Sequence, residues 1–76
     1  MTLMTLYPLG TLVRIQKMMV NSLLTDVSEK NMVGYITYSA SKGLAKYPEW
    51  AFYEVYIFQE GRKFGVYHHY LVPLEE

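Results

Sequence analysis

The chain has 76 residues, no cysteine, and seven basic residues balanced by seven acidic ones. This length allows one domain with a thin core, and the lack of cysteine excludes disulfides and thiolate zinc sites. The formal net charge of zero argues against a dedicated nucleic-acid binder, because phosphate contacts require clustered Lys and Arg. Domains this small often gain stability from a partner, so we expect contact with another protein or with further copies of the chain.

The first eight residues are expected to form a short N-terminal arm, and residues 9–76 one domain. Residues 1–6 are apolar, but they lack the basic region of a signal peptide and are too short to span a bilayer. We therefore expect a protein that is neither secreted nor embedded in a membrane.

The first predicted strand covers residues 11–17, where apolar and polar side chains alternate as in a half-buried strand. Its β-branched residues, Val13 and Ile15, follow a turn built on Pro8 and Gly10, which favours a strand over a helix.

The next segment, residues 18–31, is predicted to be a long loop. It is too apolar to be disordered, and we expect it to fold its hydrophobic side chains back onto the body of the domain. A helical turn over residues 18–24 is an alternative. A helix running through residues 12–23 would place four apolar residues on one of its faces. These residues are Leu12, Ile15, Met19 and Leu23.

A second strand is predicted over residues 32–39, where Gly34 indicates a bulge or the close approach of another backbone. A second loop, residues 40–49, separates it from the strongest predicted strand, residues 50–58. Alternation gives this third strand an inward and an outward face. Its predicted inward residues are Tyr53, Val55 and Ile57, and its predicted outward residues are Phe52, Glu54, Tyr56 and Phe58.

The last third of the chain is predicted to contain a hairpin with Gly61 in its turn, a fourth strand and a short fifth strand. Pro73 suits an edge strand because it donates no backbone hydrogen bond. Between these strands, His68 and His69 fit a tight turn with one packed and one exposed imidazole. A zinc site would need three or four converging ligands, so we expect no metal there.

Five short strands cannot bury two faces as one flat sheet, whereas curling into a small barrel encloses one apolar set. The sequence therefore predicts an all-β, five-stranded small barrel with a long loop after the first strand. The predicted core consists of Val13, Ile15, Ile36, Val55, Ile57, Val66 and Leu71.

Three pieces of the chain resemble the SH3-like small barrels, including the KOW-type modules. Residues 9–15 resemble their "G-D-x-V-R-V" first strand, although Thr11 stands where many relatives carry Asp, and residues 32–36 resemble their "x-V-G-x-V" second strand. Residues 53–74 resemble the closing hairpin, tight turn and last strand. Free-standing barrels of this size are similar to many small proteins of tailed phages. The resemblance implies a neck, tail or capsid-associated phage protein, in the virion or the host cytoplasm.

The chain carries no nucleophile motif, paired carboxylates or phosphate-binding loop, so we expect no catalytic residue and no cofactor. A five-stranded barrel also fills its interior with side chains, which leaves no cavity for a small-molecule substrate. We therefore expect a module that docks onto other proteins.

The predicted docking patch consists of Phe52, Tyr56 and Phe58, unless the loop of residues 18–31 covers it. Tyr47 and Trp50 are a second candidate contact site. An alternative function is a KOW-like nucleic-acid-associated module, with a basic edge beside the aromatic residues. The basic residues concerned are Lys42, Lys46, Arg62 and Lys63. A further alternative is an inhibitor of a host enzyme.

Overall fold

The computed structural model describes residues 6–39 and 51–74, and these ranges form seven β-strands. The strands are β1 (Leu12–Ile15), β2 (Lys17–Val20), β3 (Leu23–Asp26), β4 (Val33–Ser39), β5 (Phe52–Ile57), β6 (Arg62–Tyr67) and β7 (Leu71–Pro73). The same ranges contain two short 3-10 turns, Ser28–Lys30 and His68–Tyr70. The all-β prediction is confirmed. Within the described ranges, no helix is long and apolar enough to cross a membrane.

Five of the strands form an antiparallel sheet in the order β6-β5-β4-β1-β7, and β2 pairs with β3 in a separate hairpin. In the part of the chain that the structure describes, β6 and β7 are the edges of this sheet, so hydrogen bonds do not close it into a barrel. Pro73 lies in the edge strand β7, as its missing N–H predicts.

The core lies on one face of the sheet, and all seven residues predicted for it are at most 5% exposed. Alternation along β5 also buries Tyr53 completely, as predicted. The core further includes Met18, Val27, Met32 and Ala51, which the sequence prediction missed.

Gly34 marks the close approach of two backbones in β4. A Cβ at this position would overlap the carbonyl oxygen of Tyr56 in β5, with which β4 pairs. The irregularity in the β4–β5 register lies further along, between Ile36 and Tyr38. Of the two interpretations of Gly34, close approach is therefore the right one.

The prediction for residues 18–31 is wrong, because most of this segment is a β-hairpin rather than a loop or a helical turn. Strands β2 and β3 pair from Lys17 with Asp26 to Val20 with Leu23. The two residues between them, Asn21 and Ser22, have φ angles of 52° and 66°. Positive φ at both central positions characterises a type I′ turn, whose twist matches that of the paired strands.

The hairpin returns only part of its apolar surface to the body. Met18 is 3% exposed and Val27 is 2% exposed, and both belong to the core. Met19, Leu23 and Leu24 are 39%, 69% and 47% exposed. The expectation that this segment folds its hydrophobic side chains back is therefore met near the base of the hairpin and fails at its tip.

The end of the N-terminal arm packs onto the core through Tyr7. Its ring stacks on His68 with centroids 4.4 Å apart, and its N–H donates to the Tyr53 hydroxyl at 3.0 Å. The chain then turns at Gly10, whose N–H donates to the Ile36 carbonyl at 2.7 Å and whose φ is 88°. The predicted second loop, residues 40–49, lies outside the described residues.

Candidate functional site

The outward side of β4, β5 and β6 carries the residues that the sequence predicts as a contact patch. Because alternation buries Tyr53, Val55 and Ile57, the residues between them face the opposite way. Strand register then sets their neighbours: Tyr56 lies between Tyr35 of β4 and Lys63 of β6, and Phe52 lies opposite Tyr67. We call this surface the outer face. Its residues are Tyr35, Tyr38, Phe52, Glu54, Tyr56, Phe58, Lys63, Gly65 and Tyr67.

Three aromatic rings of the outer face pack against one another and form what we call the ring cluster. The Tyr35 ring centroid lies 5.6 Å from that of Tyr56 and 5.7 Å from that of Phe58. Tyr56 and Phe58 meet edge to face at 6.0 Å. Phe58 is 52% exposed, and its backbone is held by a hydrogen bond from its N–H to the Val33 carbonyl at 2.9 Å. The cluster is therefore an ordered apolar surface that solvent reaches.

Phe52 lies at the other end of the outer face and has a different environment. Its ring lies directly over Gly65 of β6, where an added Cβ would overlap it. It also contacts Tyr67 edge to face, with centroids 5.4 Å apart. Phe52 is 38% exposed, so it both covers the glycine backbone and presents apolar surface.

The hairpin of residues 17–26 leaves these aromatic side chains accessible. Strand β2 packs against β6 and places Met18 in the core. The exposure of Phe52 and Phe58 shows that the described part of the chain does not bury them. The alternative in which residues 18–31 cover the patch is therefore wrong for these two rings.

Among the described residues, the charges around the outer face do not form a basic surface. Lys63 Nζ lies 3.9 Å from Glu54 Oε1, and both side chains are about half exposed. Arg62 lies on the opposite side of β6, where its guanidinium sits 4.7 Å from the centre of the Phe64 ring. The remaining predicted residues, Lys42, Lys46, Tyr47 and Trp50, lie outside the described ranges.

One imidazole of the histidine pair is packed and the other is exposed, as the sequence predicts. His68 is 5% exposed, with Nδ1 2.8 Å from the Tyr53 hydroxyl, whereas His69 is exposed and contacts the Tyr70 ring. Within residues 6–39 and 51–74, no group of three His, Cys, Asp or Glu side chains could hold a metal ion.

Comparison with known proteins supplies no relative. No protein-family model matches the chain, and no curated protein and no solved structure matches it. The interpretation of the outer face therefore depends on its own geometry.

The sequence prediction omitted Tyr35 from this face, although its position between the buried Gly34 and Ile36 carried the signal.

Proposed function

We propose that this chain is a non-catalytic protein-docking module and that the ring cluster is the centre of its contact surface. The observation that carries the proposal is the partial exposure of three mutually packed rings on one side of the sheet. Contiguous exposed apolar surface commonly marks contact with another protein. Packed aromatic side chains also lose little conformational entropy on binding, which suits them as anchors.

The geometry of the cluster favours protein over nucleic acid as the partner. Single-stranded nucleic acid stacks on free ring faces within a basic groove. The three rings are instead inclined to one another by 41–75°, and each packs against its neighbours. Lys63 lies beside a carboxylate, and Arg62 lies on the opposite side of the strand.

A direct binding measurement tests this preference. A neutral chain releases few counterions from nucleic acid, so we expect affinity weaker than about 1 μM at about 150 mM salt. Fluorescence anisotropy with labelled single-stranded and duplex DNA and RNA would measure it. Submicromolar binding would favour the KOW-like alternative.

The proposal of a non-catalytic role has support in the core. One pair of side chains of a kind found in active sites, the Tyr53 hydroxyl and Nδ1 of His68, lies 2.8 Å apart. Tyr53 is 0% exposed and His68 is 5% exposed, so both side chains are buried in the core, which is typical of a structural pair.

For the fold we propose an SH3-like small barrel. Three features support it: the antiparallel order β6-β5-β4-β1-β7, the register irregularity in β4 and the tight turn at His68–Tyr70 before the last strand. A strand with a bulge bends, and a bent β4 would allow its two halves to join neighbouring strands that curl around one core. An experimental structure with a flat sheet would contradict this assignment.

For the biological setting we propose a particle of a tailed phage, as a neck, tail or capsid-associated component. The resemblance of residues 9–74 to free-standing small barrels of such phages supports this setting. Mass spectrometry of purified particles from the native source tests it, because a structural component would be present at a fixed ratio to the other particle proteins. Capture of a host enzyme instead would favour the inhibitor alternative.

A matched pair of variants tests the docking surface. In Tyr56→Glu the new charge stands in the centre of the ring cluster, where a partner would have to desolvate it. In Tyr38→Glu the same change is made at a tyrosine that is 56% exposed and pairs with Glu54 on the same face, but is not one of the three rings of the cluster. We expect both variants to fold, as judged by circular dichroism, because both side chains point away from the core.

The two variants should differ in partner capture from the native source. Tyr38→Glu should retain the partner of the unchanged protein, whereas Tyr56→Glu should lose it. Capture by Tyr56→Glu at the same level as by Tyr38→Glu would place the partner surface elsewhere. Loss of fold in Tyr56→Glu alone would mean that the ring cluster is part of the structural frame.

A further inference from the structure

A small cavity lies between the β2–β3 hairpin and β6, and we call it the slot. Its lining includes Met18 and Val20 of β2 and Arg62 and Phe64 of β6, and its volume is about 140 Å³. Because Arg62 and Phe64 alternate with Lys63 along β6, they lie on the side of this strand opposite the outer face. The slot is therefore separate from the ring cluster.

The floor of the slot is apolar. Met18, Val27 and Met32 line it, and all three belong to the core and are at most 6% exposed. The volume of about 140 Å³ is well below the roughly 300–1,000 Å³ that is typical of pockets for free small molecules. The slot therefore suits a single aliphatic side chain that belongs to a larger partner.

Charged side chains form the rim of the slot. Lys30, Glu60 and Arg62 line it and are exposed, so the rim has two cations and one carboxylate, a net charge of +1. Within residues 6–39 and 51–74, neither Lys30 nor Arg62 forms an ion pair with a carboxylate of the chain. The Arg62 guanidinium lies 4.7 Å from the centre of the Phe64 ring. Stacking of this kind leaves the guanidinium N–H groups available to bind a carboxylate.

The side chain of Gln59 ties the two sides of this rim together. Its Nε2 donates to the Asn31 carbonyl at 2.7 Å, and its Oε1 accepts from the Val33 N–H at 3.0 Å. Asn31 directly follows Lys30 in the chain, and Gln59 directly precedes Glu60. The backbone that carries the rim charges is therefore held in place before a partner binds, which lowers the entropic cost of binding.

We propose that the slot binds an acidic segment of a partner protein. One aliphatic side chain of the segment enters the slot, and a neighbouring carboxylate binds Lys30 and Arg62. The apolar floor requires an apolar anchor, the volume limits this anchor to one side chain, and the net charge of the rim favours negative charge beside it. This contact lies on the side of β6 opposite the outer face, so it does not depend on the docking function of the ring cluster.

Methyl NMR of methionine-labelled protein with a defined peptide tests the contact. The probe is the peptide Gly-Asp-Leu-Asp-Gly, blocked at both ends. The methyl groups of Met18 and Met32 report on the floor of the slot, whereas Met19 does not line it. Titration to about 1 mM peptide should shift the Met18 and Met32 signals towards saturation and leave the Met19 signal in place.

Two altered peptides separate the apolar anchor from the charge. A peptide with Ala in place of Leu loses the buried methyl groups, so it should bind at least about tenfold more weakly. A peptide with Asn in place of both Asp residues should bind about threefold to tenfold more weakly, because ion pairs with exposed cations contribute less.

Two neighbouring residues of β6 supply a matched pair of protein variants. Arg62→Gln removes a cation from the slot, and Lys63→Gln removes one from the opposite side of the same strand. Both side chains are exposed, so both variants should fold. Arg62→Gln should bind the probe about threefold to tenfold more weakly, whereas Lys63→Gln should bind it as the unchanged protein does.

Three results would overturn the proposal. The first is that the Met18 and Met32 signals do not move at about 1 mM peptide. The second is equal binding of the Leu and Ala peptides, and the third is an equal loss of binding in Arg62→Gln and Lys63→Gln. If Arg62→Gln fails to fold by circular dichroism, Lys30→Gln replaces it, because Lys30 lines the same slot and is exposed.

Discussion

The hydroxyl group of Tyr53 connects three separate segments inside the core. Its oxygen accepts a hydrogen bond from the Tyr7 N–H at 3.0 Å and lies 2.8 Å from Nδ1 of His68. Because the hydroxyl accepts from Tyr7, its own proton is available for Nδ1.

Replacing Tyr53 with Phe removes this hydroxyl and keeps the ring that fills the core. Each of the two hydrogen bonds has a net value of about 0.5–1.5 kcal/mol, so we expect the free energy of unfolding to fall by about 1–3 kcal/mol. A small domain has a total stability of about 5–15 kcal/mol, so this is a large fraction. For a chain of this length, each 1 kcal/mol corresponds to a fall of about 4–8 °C in Tm.

Urea and thermal unfolding, both followed by circular dichroism, measure the loss. Tyr56→Phe is the control, because the Tyr56 hydroxyl makes no hydrogen bond among those found for the described residues. This control should stay within about 0.5 kcal/mol of the unchanged protein. If Tyr53→Phe is equally neutral, the hydrogen bonds of the Tyr53 hydroxyl to the arm and the tight turn contribute nothing to stability, contrary to this prediction.

Three further predictions concern the same core. Ile57 is 0% exposed, so Ile57→Ala should lower the free energy of unfolding by about 2–4 kcal/mol in urea titrations. Gly34→Ala should lower the free energy of unfolding by about 1–3 kcal/mol or more in the same assay. The new Cβ meets the backbone of β5 rather than a movable side chain. Burial raises the pKa of both Tyr7 and Tyr53 above 10.0. The two tyrosines therefore lose their phenolic protons at a lower pH in the unfolded chain than in the folded one. Their contribution to the free energy of unfolding is fully present below pH 10 and should be lost as the pH rises further. Unfolding measured from pH 8 to pH 11 tests this, and Tyr53→Phe should show a smaller decrease.

The parts of the fold that local alternation determines could be predicted from the sequence. Inward and outward positions of a strand follow from its period of two, so Val55 and Ile57 were assigned to the core without knowledge of their neighbours. The same reasoning placed Val13 and Ile15. In each case one face of the strand is buried and the other is not, which makes the pattern visible in the sequence.

The hairpin of residues 17–26 could not be recognised in this way, because its tip is apolar on both faces. Met18 and Met19 follow each other, as do Leu23 and Leu24, so alternation disappears where the strands leave the core. Its turn also lacks the glycine that most often marks a type I′ turn.

The contact of Tyr7 with Tyr53 could not be predicted from local patterns either. It joins residues 46 positions apart, and it depends on the tertiary packing of the arm against the tight turn that holds His68.

The three outward aromatic residues of the predicted patch are not equivalent indicators of function. The ring of Phe52 covers Gly65, and an aromatic side chain that shields a strand glycine contributes to the sheet itself. The stability of the sheet therefore explains why Phe52 is aromatic. Tyr56 lies between Tyr35 and Lys63 with no glycine beside it in the register, and Phe58 stands just beyond the end of β5 at 52% exposure. Neither of these two rings covers a glycine as Phe52 does, so the docking proposal depends on Tyr56 and Phe58 rather than on the patch as a whole.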